Sequence, residues 1–136
     1  QSSQTNSVTL RPIPRDIPAG EDISPASLSI ETEHEHYPLS TTEVKITITN
    51  HSHYEYECGE KYSLAYYNKS KRQWETLPTD PVVNDILWIF PPEHPSHQQT
   101  IKLYTSESPN HPGKYRIYKS FNRGTKVAYG EFELLP

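Results

Sequence analysis

The clearest feature of this sequence is a two-residue alternation of apolar and polar side chains. Val44–Thr49 alternates without a break between β-branched apolar residues and Lys or Thr. Successive side chains of a strand point to opposite faces, so this stretch predicts a strand with one buried face. The apolar run Ile86–Phe90 has the length of a fully buried strand. Six further stretches also predict strands: Leu28–Thr32, Tyr62–Tyr66, Trp74–Leu77, Ile101–Leu103, Tyr115–Phe121 and Val127–Leu134.

Turn residues separate these strands. Tyr37-Pro38 and Asn122-Arg123-Gly124 mark turns, and the charged stretch Asn68–Arg72 is typical of a hairpin loop. The strands recur at intervals of roughly ten to fifteen residues, which favours an all-β sandwich or barrel over a parallel sheet with crossover helices. Thirteen Pro against five Gly also argue against long helices.

For the last predicted strand, the sequence pattern does not decide which face is buried. Val127, Tyr129 and Glu131 share one face, and Ala128, Gly130, Phe132 and Leu134 share the other. A bulge at Gly130 would switch the two faces part-way along the strand.

The first 22 residues differ in character from the rest. A polar stretch is followed by Pro12, Pro14 and Pro18, and proline favours an extended backbone. We therefore expect a proline-rich tether over residues 1–22 and a single domain over residues 23–136. The chain has no Met and begins at Gln1, which leads us to expect a processed or trimmed form.

A turn at Pro112-Gly113 leads directly into the strand that begins near Tyr115. A tyrosine at this place in a β-sandwich forms a tyrosine corner, in which its hydroxyl bonds to backbone a few residues upstream. We expect a buried Tyr115 ring with a partner within Thr105–Asn110. Trp74 is expected to supply a large part of the core.

Four pieces in fixed order resemble a bacterial immunoglobulin-like domain of exported lipoproteins and cell-surface proteins, over about Ile23 to Leu135. They are the strand Val44–Asn50, Cys58-Gly59 followed by Tyr62-Ser63-Leu64, the element Trp74–Pro78, and the turn and strand Pro112–Lys119. The pair Glu131-Phe132 matches the closing strand of that family. The resemblance implies an immunoglobulin-like β-sandwich of seven or eight antiparallel strands. It also implies an extracytoplasmic protein, secreted or held at the envelope by an N-terminal lipid anchor that has been removed here. It brings no catalytic residue with it, and we expect neither an enzyme nor a cofactor.

The charge and the reactive side chains of the sequence argue against several classes of function. The net charge of −4 includes no basic stripe, so nucleic acid is not an expected partner. Cys58 is the only cysteine, which excludes an internal disulfide. Histidines occur in the pairs His34/His36, His51/His53 and His94/His97. The first two pairs have the i and i+2 spacing that could chelate a metal from one strand face, but no spacing matches an established zinc motif, and we expect no metal. Four acidic residues are interpreted as solvated loop residues: Asp80, Asp85, Glu93 and Glu107.

The expected role is structural or recognition at a bacterial cell envelope, and exposed Tyr would suit contact with protein or carbohydrate at a cell surface. The candidates are Tyr54, Tyr56, Tyr67, His94 and His97. The competing interpretation is that tyrosines merely fill the outer faces of half-buried strands. An alternative function is a proteinase inhibitor of similar fold, presenting the loops His94–Gln98 and Pro109–Pro112.

Overall fold

The computed structural model describes residues 20–79, 86–103 and 109–136, which form β-structure throughout. Within these ranges no helix is long and apolar enough to span a membrane. The strands are β1 (Glu21–Asp22), β2 (Leu28–Thr32), β3 (His36–Pro38), β4 (Glu43–Asn50), β5 (Tyr56–Cys58), β6 (Ser63–Asn68), β7 (Gln73–Leu77), β8 (Trp88–Phe90), β9 (Ser96–Lys102), β10 (Gly113–Phe121) and β11 (Lys126–Leu135).

The larger sheet has the order β1-β11-β10-β6-β7, with β3 also paired to β11. β10 and β11 pair antiparallel in one continuous register, from Gly113 opposite Leu134 to Phe121 opposite Lys126. β1 and β3 both run parallel to β11, one at each of its ends. The continuous register means that no bulge interrupts β11 at Gly130.

The second sheet has the order β2-β4-β9, and the short pair β5-β8 lies beside it. The core between the sheets is filled by alternate side chains of both, because strand alternation sends every second residue inward. Its most completely buried apolar members are Leu28, Val44, Ile46, Ile48, Leu64, Phe90, Ile101, Ile117, Phe121 and Leu134. Two facing sheets with this strand order form an immunoglobulin-like β-sandwich, so the predicted fold class is confirmed. The two parallel pairings on β11 are an addition to the antiparallel arrangement that was predicted.

At Gly130 the backbone of β11 lies close to the backbone of β2 in the other sheet. A Cβ atom at this position would lie 2.5 Å from the carbonyl oxygen of Ile30 on β2. Glycine is thus required here by close backbone approach. The face that carries Ala128, Phe132 and Leu134 is the one turned to the core.

Several local predictions need correction. Tyr37-Pro38 is not a turn but part of β3, with Tyr37 buried edge-on against Phe132 at 5.7 Å between ring centroids. The run Ile86–Phe90 is not a buried strand, because only residues 88–90 form β8, and β8 lies in a two-stranded sheet. Phe90 is buried there, whereas Ile86, Leu87 and Ile89 are exposed.

The first described strand lies at the predicted boundary between tether and domain. Of the tether predicted over residues 1–22, the first nineteen positions lie outside the described residues. Glu21 and Asp22 form β1 against β11, and Ile23 continues it by donating its N–H to the Val127 carbonyl at 2.8 Å. The sheet therefore begins two residues before the predicted boundary.

Candidate functional site

The tyrosine corner is a two-way hydrogen bond between Tyr115 and His111. The Tyr115 hydroxyl donates to the His111 carbonyl at 2.8 Å and accepts from the His111 N–H at 2.9 Å. Burial is the main cause of the raised pKa of this phenol. The partner lies one residue beyond the stretch that was predicted. The preceding turn is fixed as well, since Gly113 has a φ of 136° and the Tyr66 hydroxyl donates to the Pro112 carbonyl at 3.1 Å.

Asn50 organises the loop that follows β4. Its side chain is buried, its Oδ1 accepts from the Ser52 N–H at 2.9 Å, and its Nδ2 donates to the Tyr54 carbonyl at 2.6 Å. The same Nδ2 reaches the Phe90 carbonyl at 2.9 Å. Such a side chain replaces backbone partners in a turn. The loop is therefore held at several points, and it presents the Tyr54 ring, which is 75% exposed.

Three connections meet at this end of the sandwich, and we call residues 51–55, 91–95 and 122–125 the loop end. The Asn50 N–H donates to the Pro95 carbonyl at 2.8 Å, which ties the first connection to the second. The Asn122 N–H donates to the Glu57 carbonyl at 2.9 Å, which ties the third to the base of the first. Loops clustered in this way form the binding surface of immunoglobulin variable domains.

The outer face of the larger sheet carries a second distinctive group, the outer aromatic layer, formed by Tyr67, Trp74, Arg116, Tyr118 and Tyr129. The Arg116 guanidinium lies 4.1 Å from the Trp74 ring centroid and 4.2 Å from that of Tyr129. The small Ala65 stands opposite Arg116 in the register, with Trp74 on the strand beyond. Trp74 packs against a small second cluster of buried residues, Ala65, Tyr118 and Val127, and not against the main core.

The structure does not bring the predicted recognition residues together. Tyr54 and His94 are exposed at the loop end, and Tyr67 lies in the outer aromatic layer at 5.1 Å from Trp74. Tyr56 is buried against Phe121 at 6.1 Å between centroids, so it cannot contact a partner. His97 is half-buried and stacked on Trp88.

The two loops suggested for a proteinase inhibitor also lie apart. Residues Ser96–Lys102 form β9, so only the first part of His94–Gln98 is a loop. That part adjoins the last residue of β4. Asn110 instead donates to the carbonyls of Leu39 and Thr41, before β4 begins. The two loops therefore lie at opposite ends of β4 and do not form one inhibitory surface.

The histidine pairs have other contacts. His36 lies 3.3 Å from a Glu133 carboxylate oxygen, and the His51 Nε2 lies 2.8 Å from the Ser29 hydroxyl. His34 packs edge-on against Tyr37. Across the described ranges, no group of three or more His, Cys, Asp or Glu residues is arranged to hold a metal ion.

Lys119 is a buried ionisable residue that the sequence did not lead us to expect. Lys119 is completely buried, and its Nζ donates to the Gly59 carbonyl and to the Gln99 Oε1, both at 2.7 Å. Burial lowers the pKa of Lys119 to about 8, and burial raises the pKa of the nearby Cys58 thiol to about 11. The Lys119 ammonium group makes these two hydrogen bonds and has no exposed surface. It therefore ties the sheets together rather than offering a nucleophile. The sequence did contain a signal for this burial. Lys119 lies on the same face of β10 as Tyr115, Ile117 and Phe121, which are all buried.

The family comparison agrees with this architecture. The sequence profile of the bacterial Ig-like domain family matches residues 24–133. No curated protein matches the chain. A solved structure of the alkylpurine DNA glycosylase AlkC from Pseudomonas fluorescens, bound to DNA containing an abasic site analog, shares 14% identity with a TM-score of 0.42. That match covers 82% of this chain and 31% of the glycosylase chain.

Proposed function

Because this chain belongs to the bacterial Ig-like domain family, we propose that it is a non-catalytic recognition domain acting outside the cytoplasm, at the bacterial cell envelope. The family supports an Ig-like domain without catalytic machinery. The contacts of the described ionisable groups agree with that role. Lys119 and Cys58 are buried, and the histidines are dispersed.

The observation that carries the proposal is Tyr54. Large aromatic side chains are usually at least half covered, yet this ring is 75% exposed on a loop that Asn50 holds from within the core. Tyr contributes disproportionately to protein interfaces because its ring offers a large contact area with little loss of side-chain freedom. A fixed loop further reduces the entropy lost on binding. We therefore assign the loop end as the contact surface.

Binding of the fluorescently labelled domain to envelopes isolated from its source bacterium tests the proposal. We expect saturable binding that Tyr54→Ala weakens by roughly 30-fold, the effect of losing an interface hot spot of about 2 kcal/mol. Lys45→Ala is the control, because Lys45 is exposed in the middle of β4 and away from the loops. Equal binding by the two variants would refute the loop end as the contact surface.

Location is tested separately. The epitope-tagged protein is expressed in cells whose outer layers are permeabilised while the cytoplasmic membrane stays intact. Added protease should digest the tagged protein, while a cytoplasmic marker survives. Protection of the tag together with the marker would place the domain in the cytoplasm and contradict the proposal.

A further inference from the structure

One edge of β11 is only partly covered by other strands. β1 pairs with this edge at Lys126 and Val127, and β3 pairs with it at residues 133–135. Between these two pairings the chain leaves the sheet and continues in the other sheet as β2. Among the described residues, therefore, no strand pairs with the outer edge of β11 over residues 128–132, which we call the edge gap.

The backbone of the edge gap presents hydrogen-bonding groups sideways. Just before the gap, the Val127 carbonyl accepts a hydrogen bond of 2.8 Å from the residue that follows β1. Just after it, the Glu133 N–H donates at 2.9 Å to the residue that precedes β3. Alternate residues of a strand direct their backbone groups to the same side, so Tyr129 and Glu131 direct theirs to this edge. A strand edge without a paired strand is a template for pairing with another chain.

A groove of about 630 Å³ runs beside the edge gap. Its lining includes the buried apolar side chains of Leu28, Ile30 and Ala128. The Tyr129 ring, which is 45% exposed, also lies along it. Ligand sites commonly have volumes of about 300–1,000 Å³ and mostly apolar linings. The edge gap thus combines a strand edge with space for the side chains of an added strand.

The charges that line this groove favour a cationic ligand. Asp22 and Glu31 both line the groove and are exposed. Neither carboxylate is ion-paired within the described ranges. Glu131 lines the groove too, but it is paired with Arg116 at 2.7 Å.

The cations around the groove do not offset these carboxylates. Lys126 is paired with Glu21, and Lys45 lies across from Glu33, whose N–H donates to the Lys45 carbonyl. The charged groups of this region are the carboxylates Glu21, Asp22, Glu31, Glu33 and Glu131 and the cations Lys45, Arg116 and Lys126. The region therefore carries an excess of two negative charges.

From these observations we propose that the edge gap binds an extended peptide segment of a partner protein that carries Lys or Arg at alternate positions. The segment pairs with Tyr129 and Glu131 as a short added strand. Its cationic side chains lie on the outer face beside Asp22, which stands opposite Val127, and its intervening apolar side chain lies over the groove. Because β1 and β3 occupy the same edge, the segment bends outward on either side of the gap. This surface is distinct from the loop end, so the proposal does not depend on the one made above.

An NMR titration of the 15N-labelled domain with a synthetic pentapeptide tests the proposal. The probe is acetylated and amidated Lys-Val-Lys-Val-Lys, in which the Lys side chains share one face of a strand and the Val side chains share the other. We expect the amide protons of Tyr129 and Glu131 to move downfield and to exchange more slowly with water, because each gains an acceptor on the added strand. The Glu-Val-Glu-Val-Glu peptide should leave both signals unchanged. Added NaCl should weaken binding of the Lys peptide, because salt screens exposed charges.

N-methylated peptides test the strand pairing itself. In the proposed register the backbone N–H groups of the Lys residues face β11, and those of the Val residues face solvent. Methylation of the central Lys nitrogen should therefore abolish binding, whereas methylation of one Val nitrogen should preserve it. Equal effects of the two methylations would show that no added strand forms.

A matched pair of double variants identifies the surface. Asp22→Asn with Glu31→Gln removes the two carboxylates without an ion pair, and we expect binding of the Lys peptide to weaken about five- to tenfold. Glu43→Gln with Glu93→Gln removes two exposed carboxylates at the start of β4 and in the loop after β8, and should leave binding unchanged. Circular dichroism checks that both double variants are folded. Equal losses in both, or Tyr129 and Glu131 signals that the Lys peptide does not move in the wild type, would overturn the proposal.

Discussion

Tyr115 joins the start of β10 to the connection before it through both polar atoms of one peptide residue. Replacing it with Phe keeps the ring against Phe132 and Tyr66 but leaves the His111 N–H and carbonyl without this partner. We expect a loss of about 1–3 kcal/mol in the free energy of unfolding. In a domain of this size the melting temperature should fall by roughly 3–15 °C, measured by circular dichroism.

Tyr56→Phe is the matched control for that substitution. Tyr56 is also buried and packs edge-on against Phe121. Its hydroxyl has no hydrogen-bond partner among the described residues, so its loss should have little effect. Similar melting temperatures for the two variants would contradict the importance of the corner.

Lys119 and Cys58 give the stability an unusual dependence on alkaline pH. Because the folded pKa of Lys119 is lowered to about 8 from 10.5, the unfolded chain binds more protons between these values. Stability should therefore rise with pH, by about 1 kcal/mol from pH 8 to 9. The folded pKa of Cys58 is raised from 9.0 to about 11, so the folded chain binds more protons between pH 9 and 11. This contribution makes stability fall between pH 9 and 11. We expect the urea midpoint to rise up to about pH 9 and then level off.

Two variants separate these contributions. Lys119→Met should abolish the rise between pH 8 and 9, although it also leaves the Gly59 carbonyl and Gln99 without their donor. Cys58→Ala should extend the rise toward pH 10.5, because only the Lys119 titration then remains. A urea midpoint in the wild type that falls steadily from pH 8 would show that Lys119 is not the controlling group.

At the scale of elements, β2 and β11 depend on the absence of a side chain at Gly130. Gly130→Ala would place a methyl group 2.5 Å from the Ile30 carbonyl oxygen, and both strands would have to separate. Overpacking of this kind typically costs about 1–3 kcal/mol, which urea unfolding would measure. Gly59→Ala is the control, since its nearest neighbour would be 3.4 Å away. Equal effects at both positions would show that the close approach is relieved without cost.

The strands that could be predicted were those whose alternation is uninterrupted. Val44, Ile46 and Ile48 are all almost completely buried, as their spacing required. The short strands β1, β3 and β5 were missed because two or three residues give no usable period. β5 nevertheless left a trace, since Tyr56 and Cys58 alternate with Glu55 and Glu57.

The candidate site was less predictable than the strands. Alternation fixes which residues share a face, but it does not say which face of an amphipathic strand is inward. Trp74 was predicted in the core because of its size. The residue of β7 that packs against the main core is Leu77, which lies on the other face of the strand. Lys119 was overlooked because lysine is almost never completely buried without partners, and its partners lie 60 and 20 residues away. Only the folded chain shows the Arg116 stack, which joins three strands.

At the scale of the whole molecule, the boundary of the domain can be tested by truncation. The described structure begins at Gly20, and the first strand pairing is at Glu21. The proline-rich sequence predicts a tether before this point, so removing residues 1–19 should change the melting temperature by less than about 2 °C. Removing residues 1–23 is the comparison and should lower it further, because β1 is then lost. A fall of several degrees on the shorter truncation would show that the tether packs on the domain.

The placement of β1 and β3 has a mechanical consequence. Both run parallel to β11, so the first and last described strands point the same way along one sheet edge. A force that pulls Gly20 and Pro136 apart slides these strands past each other instead of peeling them open. All the hydrogen bonds of a pairing then bear the load together, and they must break nearly at once. Tension along the chain is therefore resisted in shear, the stronger of the two geometries, by strands of only two and three residues.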